Sequence, residues 1–309
     1  MKKRINLSLD NPKQAAEVCK ALSSPARISL LNMLVGKVHN VSEIAAELNI
    51  PISSAAYHVN LLQEAGLIQC SEMPGVRGSQ KLCGLGFDDL YLSMPDPQVH
   101  NGLQRQSYSI PIGSYFNCDV SAPCGLASSD HFIGVEDNIN SFYLPERINA
   151  QILWFTTGII EYRAPVNLNL EQEIHKLTIS FELCSEAVAF NPIWPSDIDL
   201  IINDQHCCTF LSEGDYGDKR GTLNPAWWSS IRTQYGKLYV VEIDVEGTWL
   251  NSMKVGTTTL SELQIKEPYI SICFQVRKDA KYPGGLNLFG ESFGEHPQAI
   301  KLDLYLGNI

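Results

Sequence analysis

The chain has 309 residues, 44% of them hydrophobic, and a formal net charge of −11 at pH 7. That length exceeds one typical core, so two domains are expected, and the apolar fraction is enough for ordinary globular folding. No window approaches the ~18 uninterrupted apolar residues of a membrane span, and no apolar stretch follows the basic Met1–Arg4, so neither a membrane-spanning helix nor a secretory signal is read and a cytoplasmic protein is expected.

The charge is unevenly spread. Residues 1–90 hold nine Lys/Arg against eight Asp/Glu, whereas residues 91–309 hold fourteen against twenty-six. The acidic part repels phosphate, so any contact with nucleic acid belongs to the N-terminal part. Nine cysteines, at 19, 70, 83, 118, 124, 184, 207, 208 and 273, include no Cys-x-x-Cys and read as buried small hydrophobes, not as a disulfide framework.

In chain order, Asn11-Pro12-Lys13-Gln14 starts a helix: Asn11 caps, Pro12 suits the first helical position and Gln14 reaches back. It runs to about Leu22. Ser24-Pro25 starts a second helix with a buried stripe of Ile28, Leu31, Leu34 and Val35, ended by Gly36. Asn40 and Glu43 form a capping-box pattern for a third helix that buries Ile44, Ala45 and Leu48. The fourth helix starts near Ile52, and Ile52, Ala55, Val59 and Leu62 recur at core-facing spacing. Ser53, Ser54, Ala56, Tyr57, His58 and Asn60 occupy the opposite face, where small hydroxyls and an amide can approach base edges and phosphates.

Gly66 ends that helix, and 67–72 and 81–85 read as two strands around a tip at 74–79. Arg77 in the tip and Lys81 beside it make a basic wing able to grip backbone or minor groove. The plainer alternative is a solvated serine-rich face and an arginine in a turn. Helix-turn-helix followed by a hairpin within about 60 residues favours DNA binding.

Leu22-Ser23-Ser24-Pro25-Ala26-Arg27 with Ile28 and Leu31, then Ile44-Ala45, then Tyr57-His58-Val59 and Leu62 to Ile68, resembles the ArsR-type winged-helix repressors. The resemblance covers residues 12 to about 86. It implies a homodimer on a double-stranded DNA operator, the fourth helix in the major groove, with Ser53, Ser54, Ala56, Tyr57 and His58 as its reading face. Two departures stand out. Family metal sensors carry a Cys-x-Cys pair where this chain has Asn40 and Ser42, which offer no thiolate, so no metal or cofactor is expected. The usual hydroxyl cap of the recognition helix is Pro51, so that helix lacks a side-chain cap.

Met-Pro-Asp-Pro at 94–97 and weak periodicity mark residues 91–107 as a linker between domains at 1–90 and 108–309. Beyond it, residues alternate with period two: Leu177 to Leu183, Tyr239 to Val245, Ile270 to Val276 and Ile300 to Leu306. The fold class is therefore α+β multidomain: a winged helix-turn-helix followed by an antiparallel β-sandwich of jelly-roll type.

The densest stretch of the second domain is 213–228. It holds Glu213, Asp215, Arg220, Asn224, Trp227 and Trp228, and its Asn224-Pro225 predicts a short helix. Trp194, in a second aromatic-polar cluster at 191–197, joins this set. Aromatic platforms with fixed carboxylates, amides and arginine are what sugar sites use, so these seven residues are candidates for a small polar, sugar-like effector. The alternative is tryptophan plugging a sandwich end and ion pairs tying loops together. Asp197 with Asp199, or Glu213 with Asp215, would have to serve a DNA-tethered carbohydrate-active enzyme. No nucleophile-elbow or Walker sequence is present and the seven histidines never fall at ligand spacing, so no catalytic residue is assigned. The leading expectation is a ligand-responsive repressor. The runners-up are that enzyme, or a constitutive DNA binder with a protein-assembly β-domain.

Overall fold

A computed structural model describes residues 4–9, 11–75, 78–94, 102–168, 171–266 and 268–308. The chain divides into two compact units, 1–100 and 101–309.

The first unit begins with strand β1 (Arg4–Ser8), followed by helices α1 (Pro12–Leu22) and α2 (Pro25–Met33). Asn11 caps α1 by accepting from Gln14 N–H, and its amide donates to the Gln14 side chain. The α2 stripe is rotated from the expected one. Arg27, Leu30, Leu31 and Leu34 face inward, while Ile28 and Val35 are exposed. The buried Arg27 accounts for this: its Nε donates to Ala21 O and its Nη2 to Lys20 O, so the guanidinium caps the end of α1. Gly36, at φ +67°, lets the chain reverse after α2.

Strand β2 (Val38–Asn40) leads into helix α3 (Val41–Glu47), which starts with the capping box expected of Asn40 and Glu43. Helix α4 (Ile52–Glu64) follows after a short turn, and Pro51 provides no side-chain cap. Ala55, Val59 and Leu62 are buried as expected, but Ile52, the first residue of α4, is 60% exposed. Gly66, at φ +74°, stops the helix. Strands β3 (Ile68–Gly75) and β4 (Gly78–Leu85) form the hairpin, and β2 adds to its edge in the order β2-β4-β3.

Strand β5 (Asp89–Ser93) pairs in parallel with β1, from Arg4↔Asp89 to Ser8↔Ser93. Leu7 of β1 is buried in the core of this unit and Leu90 packs against it. The range expected to be linker thus starts inside a strand, and it ends inside β6 (Gln104–Ile110). Met94 is described, and 95–101 lies outside the described residues.

The second unit is a large, mainly antiparallel β-structure: β6, β7 (Asn117–Ala127), β8 (Ile152–Pro165), β9 (Gln172–Cys184), β10 (Ser196–Ile202), β11 (Gln205–Ser212), β12 (Lys237–Ile243), β13 (Thr248–Leu250), β14 (Met253–Gly256), the short helix α5 (Leu260–Leu263), β15 (Tyr269–Val276), β16 (Leu286–Phe289) and β17 (Ile300–Asn308). Its twelve strands belong to one hydrogen-bonded network, in place of the two separately bonded sheets of the expected sandwich. One run of strands is β7-β8-β15-β10-β11 and the other is β6-β17-β9-β12-β13-β14. Strand β16 pairs with both β8 and β9 and so joins the runs.

The four predicted alternations lie on β9, β12, β15 and β17, except that β12 stops at Ile243 and Val245 is exposed in the following turn. One cluster of buried side chains forms the core, with the Phe181 and Phe274 rings 4.7 Å apart. A second, smaller cluster gathers Trp154, Cys184, Trp228, Phe289 and Phe293. Of the nine cysteines seven are buried, Cys70 is partly buried and Cys19 is exposed.

Candidate nucleic-acid interface and effector cavity

In the first unit, α4 presents Ser53, Tyr57 and Asn60 as an exposed stripe at steps of four and three; Tyr57 is 61% exposed. Ser54 and Ala56 flank it, half-buried. Lys81 on β4 donates from Nζ to Asn60 Oδ1 at 2.9 Å, which ties the hairpin to the helix face. His58 departs from the expected reading face. It is half-buried, and its Nδ1 lies in the interior without a hydrogen-bond partner among the described residues. Burial first, and then the Arg27 charge, hold its pKa below the ordinary imidazole value, so the ring is favoured neutral. Arg77 lies outside the described residues.

Helix α4 contains no Lys or Arg. Base edges facing it would meet hydroxyl, phenol and amide groups, and the uncapped first turn leaves N–H groups suited to a phosphate.

In the second unit, the seven residues expected to hold an effector do not converge. The segment between β11 and β12 folds without the helix expected after Asn224, as a series of turns. Its carbonyls therefore need donors from side chains. Arg220 supplies two, from Nη1 to Trp228 O at 3.1 Å and from Nη2 to Pro225 O. Asn224 donates to Gln234 O and accepts from Gly294 N–H. Glu213 is exposed and paired with Lys237, which lowers its pKa. Trp194 is exposed, and Trp227 donates to Ser129 O. Asp215 is fully buried, accepts from Ala187 N–H and the Thr233 hydroxyl, and is pushed up to about 7 by burial.

Trp228 alone of the seven lines a cavity of about 350 Å³. The other walls come from residues that sequence reading did not single out: Trp154 on β8, Glu186, Asp137, Arg232 and Asn287. The signal that could have found them is weak, since each stands alone in its own segment. The Trp154 and Trp228 rings lie 6.2 Å apart, edge to face. Arg232 makes a two-point ion pair with Glu136 at 2.5 and 3.0 Å. Glu186 accepts from Asn287 Nδ2 at 2.7 Å, and burial, reinforced by the Asp215 charge, drives its carboxyl well above the ordinary range.

A larger polar depression, about 590 Å³, surrounds Glu161, Arg163 and Asp204. Its Glu161 carboxylate is already held by Arg163 at 2.8 Å and by Ser271 at 3.1 Å. Among the described residues, no group of three or more His, Cys, Asp or Glu is placed to hold a metal ion. Among them, too, no helix is long and apolar enough to cross a membrane.

Residues 22–70 match a family model described as a helix-turn-helix domain. That span runs from the end of α1 through α3, the turn and α4 to the start of β3, so the first unit is a winged helix-turn-helix. Several solved structures are similar. One is a possible transcriptional regulatory protein from Mycobacterium bovis (fragment 1–100): 23% identity over 24% of this chain and 74% of that chain, TM-score 0.22. A second is the homodimeric winged helix-turn-helix DNA-binding domain of a possible ArsR-family transcriptional regulator from the same organism: 22%, 25% and 68%, TM-score 0.23. A third is HlyU from Vibrio cholerae in its reduced form: 22%, 25% and 78%, TM-score 0.23. No curated protein matches the chain.

Proposed function

We propose that this protein is a DNA-binding transcriptional regulator of ArsR type, working in the cytoplasm as a homodimer, whose β-domain takes up a small polar effector that releases repression. The observation that carries the DNA-binding part is one coincidence. The span matched by the helix-turn-helix model contains an α4 whose Ser53–Tyr57–Asn60 stripe is exposed and tied by Lys81 to the adjoining hairpin. One head offers one recognition helix, so a two-fold dimer reading two half-sites about one DNA turn apart is the economical arrangement.

The β-domain reads as a sandwich-like body, because two runs of strands contribute to one core. The carboxylates that an enzyme would need are engaged. Asp199 is held by Arg277 and Thr209, Asp197 accepts from Tyr282 N–H, and Glu213 pairs with Lys237. This favours an effector-binding role over catalysis. A ligand preferring one dimer geometry would change operator affinity by roughly 5- to 150-fold. The test is selection of binding sites from random duplex DNA, followed by titration of the selected site with and without a cavity ligand.

A further inference from the structure

The cavity beside Trp154 and Trp228 has a one-sided chemistry. Most of its side-chain donors are occupied: Arg232 by Glu136, Thr233 by Asp215, Asn287 by Glu186 and Ser185 O, and Trp228 by Thr233 O. Its acceptors are in excess. Glu186 has no ion-pair partner among the described residues, and Asp137 gives only Oδ1 to Cys124 N–H. Asp215 stands just behind, reached through Ala187 and Thr233, which both line the cavity. With Glu136 and Arg232 cancelling each other, the formal charge left at the cavity is negative. The rim is apolar, with Val188 88% and Ile231 68% exposed.

A neutral sugar needs several free donors, and an anion needs a free cation; the acceptors of this cavity outnumber its free donors, and Arg232, its one lining cation among the described residues, is already paired with Glu136. A ligand that brings its own positive charge and donors, with alkyl groups for the rings and rim, matches every wall. Arg232 already shows that the Trp228 ring takes a cation, lying 5.5 Å from its centre.

We infer that this cavity binds a small organic ammonium ion, its alkyl groups against Trp154 and Trp228 and its charge against Glu186 and Asp137. The inference rests on the reading that the effector site lies in the β-domain, and it replaces a sugar with an amine as the class of effector.

A consequence is linkage to pH. Burial, then Asp215, and further Asp137, favour the protonated Glu186 carboxyl, while the Asn287 amide and Arg232 oppose them; the thiols of Cys124 and Cys184 face the same carboxyl. An arriving cation favours the ionised form, so binding releases a proton and tightens as pH rises through the raised Glu186 value.

The test is calorimetric titration of the full chain with tetramethylammonium and butylammonium chlorides, beside methyl glucoside and sodium acetate. The expected result is saturable binding of at least one ammonium salt, tighter at higher pH. Glu186→Gln, which keeps an acceptor for Asn287, should weaken it about tenfold or more. Asp137→Asn provides a second test should the first variant lose its fold by circular dichroism, since asparagine tolerates the φ of +57° at this position. Absence of ammonium binding overturns the inference. So does ammonium binding unchanged in the folded variants, or methyl glucoside binding that survives Glu186→Gln. Ammonium binding that leaves DNA affinity unaltered upholds the site and removes its effector role, so the two readings fail separately.

Discussion

Lys81 Nζ donates to Asn60 Oδ1 at 2.9 Å, joining the hairpin to the exposed stripe of α4. The amide oxygen thereby accepts from Lys81, while Asn60 stays exposed on the stripe. On DNA the two residues should separate cleanly. Lys81→Gln is expected to weaken binding to all duplexes and to reduce the salt slope by about one phosphate contact. Asn60→Ala is expected to cost about 1–3 kcal/mol of discrimination between the selected site and random DNA. Fluorescence anisotropy over a salt series checks both.

Arg27 is a residue of stability, although it stands beside the helix-turn-helix. Its two bonds to Lys20 O and Ala21 O satisfy carbonyls at the end of α1 and hold α2 against it. Arg27→Ala should destabilise the first unit by about 2 kcal/mol or more, as loss of charged hydrogen bonds from a buried group does. Denaturant unfolding followed by circular dichroism measures it.

The expected effector arginine has a different consequence from the one its neighbours in sequence imply. Because Arg220 is engaged by Pro225 O and Trp228 O, Arg220→Ala should cost about 1 kcal/mol of stability and leave the affinity of the Trp154–Trp228 cavity for ammonium salts within about twofold. Thermal melts with calorimetric titration check both parts. A large loss of ligand affinity in a stable variant would return Arg220 to the site.

The buried carboxyls make stability depend on pH. Asp215 and Glu182 are both pushed up to about 7, chiefly by burial, against ordinary values of 3.8 and 4.5. Backbone N–H groups of Gly236, Glu295 and His296 oppose this at Glu182. Raised carboxyls hold protons in the folded state that the unfolded chain has released. Their contribution is full below the ordinary carboxyl range and is lost as pH rises through about 7. Asp215→Asn removes one such group, so the stability of the wild type relative to this variant should fall as pH rises across that window, by at most about 1.4 kcal/mol per pH unit. Urea unfolding of both proteins at several pH values tests the sign.

Local chemistry made much of the first unit legible. Asn11, the Asn40–Glu43 box, Gly36 and Gly66 act within one turn of themselves, and each stands where its sequence neighbourhood places it. Facing was less legible, because the direction of a helix face depends on what it packs against. Arg27 turns the α2 stripe away from Ile28, and Ile52 lies beyond the core it was spaced to reach. The β1–β5 pair joins segments about 85 residues apart, with no signal in either alone. In the second unit the aromatic density around Trp228 pointed to the end of the domain where the Trp154–Trp228 cavity lies. The partners of Trp228 in the cavity, Glu186, Asp137 and Trp154, come from segments far apart in sequence, so composition within one stretch could not assemble them.

The central claim is that the α4 stripe reads duplex DNA, and it meets its most direct test in selection from a random duplex pool by the wild-type protein and by Tyr57→Ala. Tyr57 is exposed and outside the core, so the variant should melt with the wild type. The account predicts that the wild type enriches a defined site with two half-sites about one DNA turn apart, and that Tyr57→Ala loses discrimination for that site while still binding DNA in low salt. No enriched sequence, or the same site enriched equally by the variant, would contradict it.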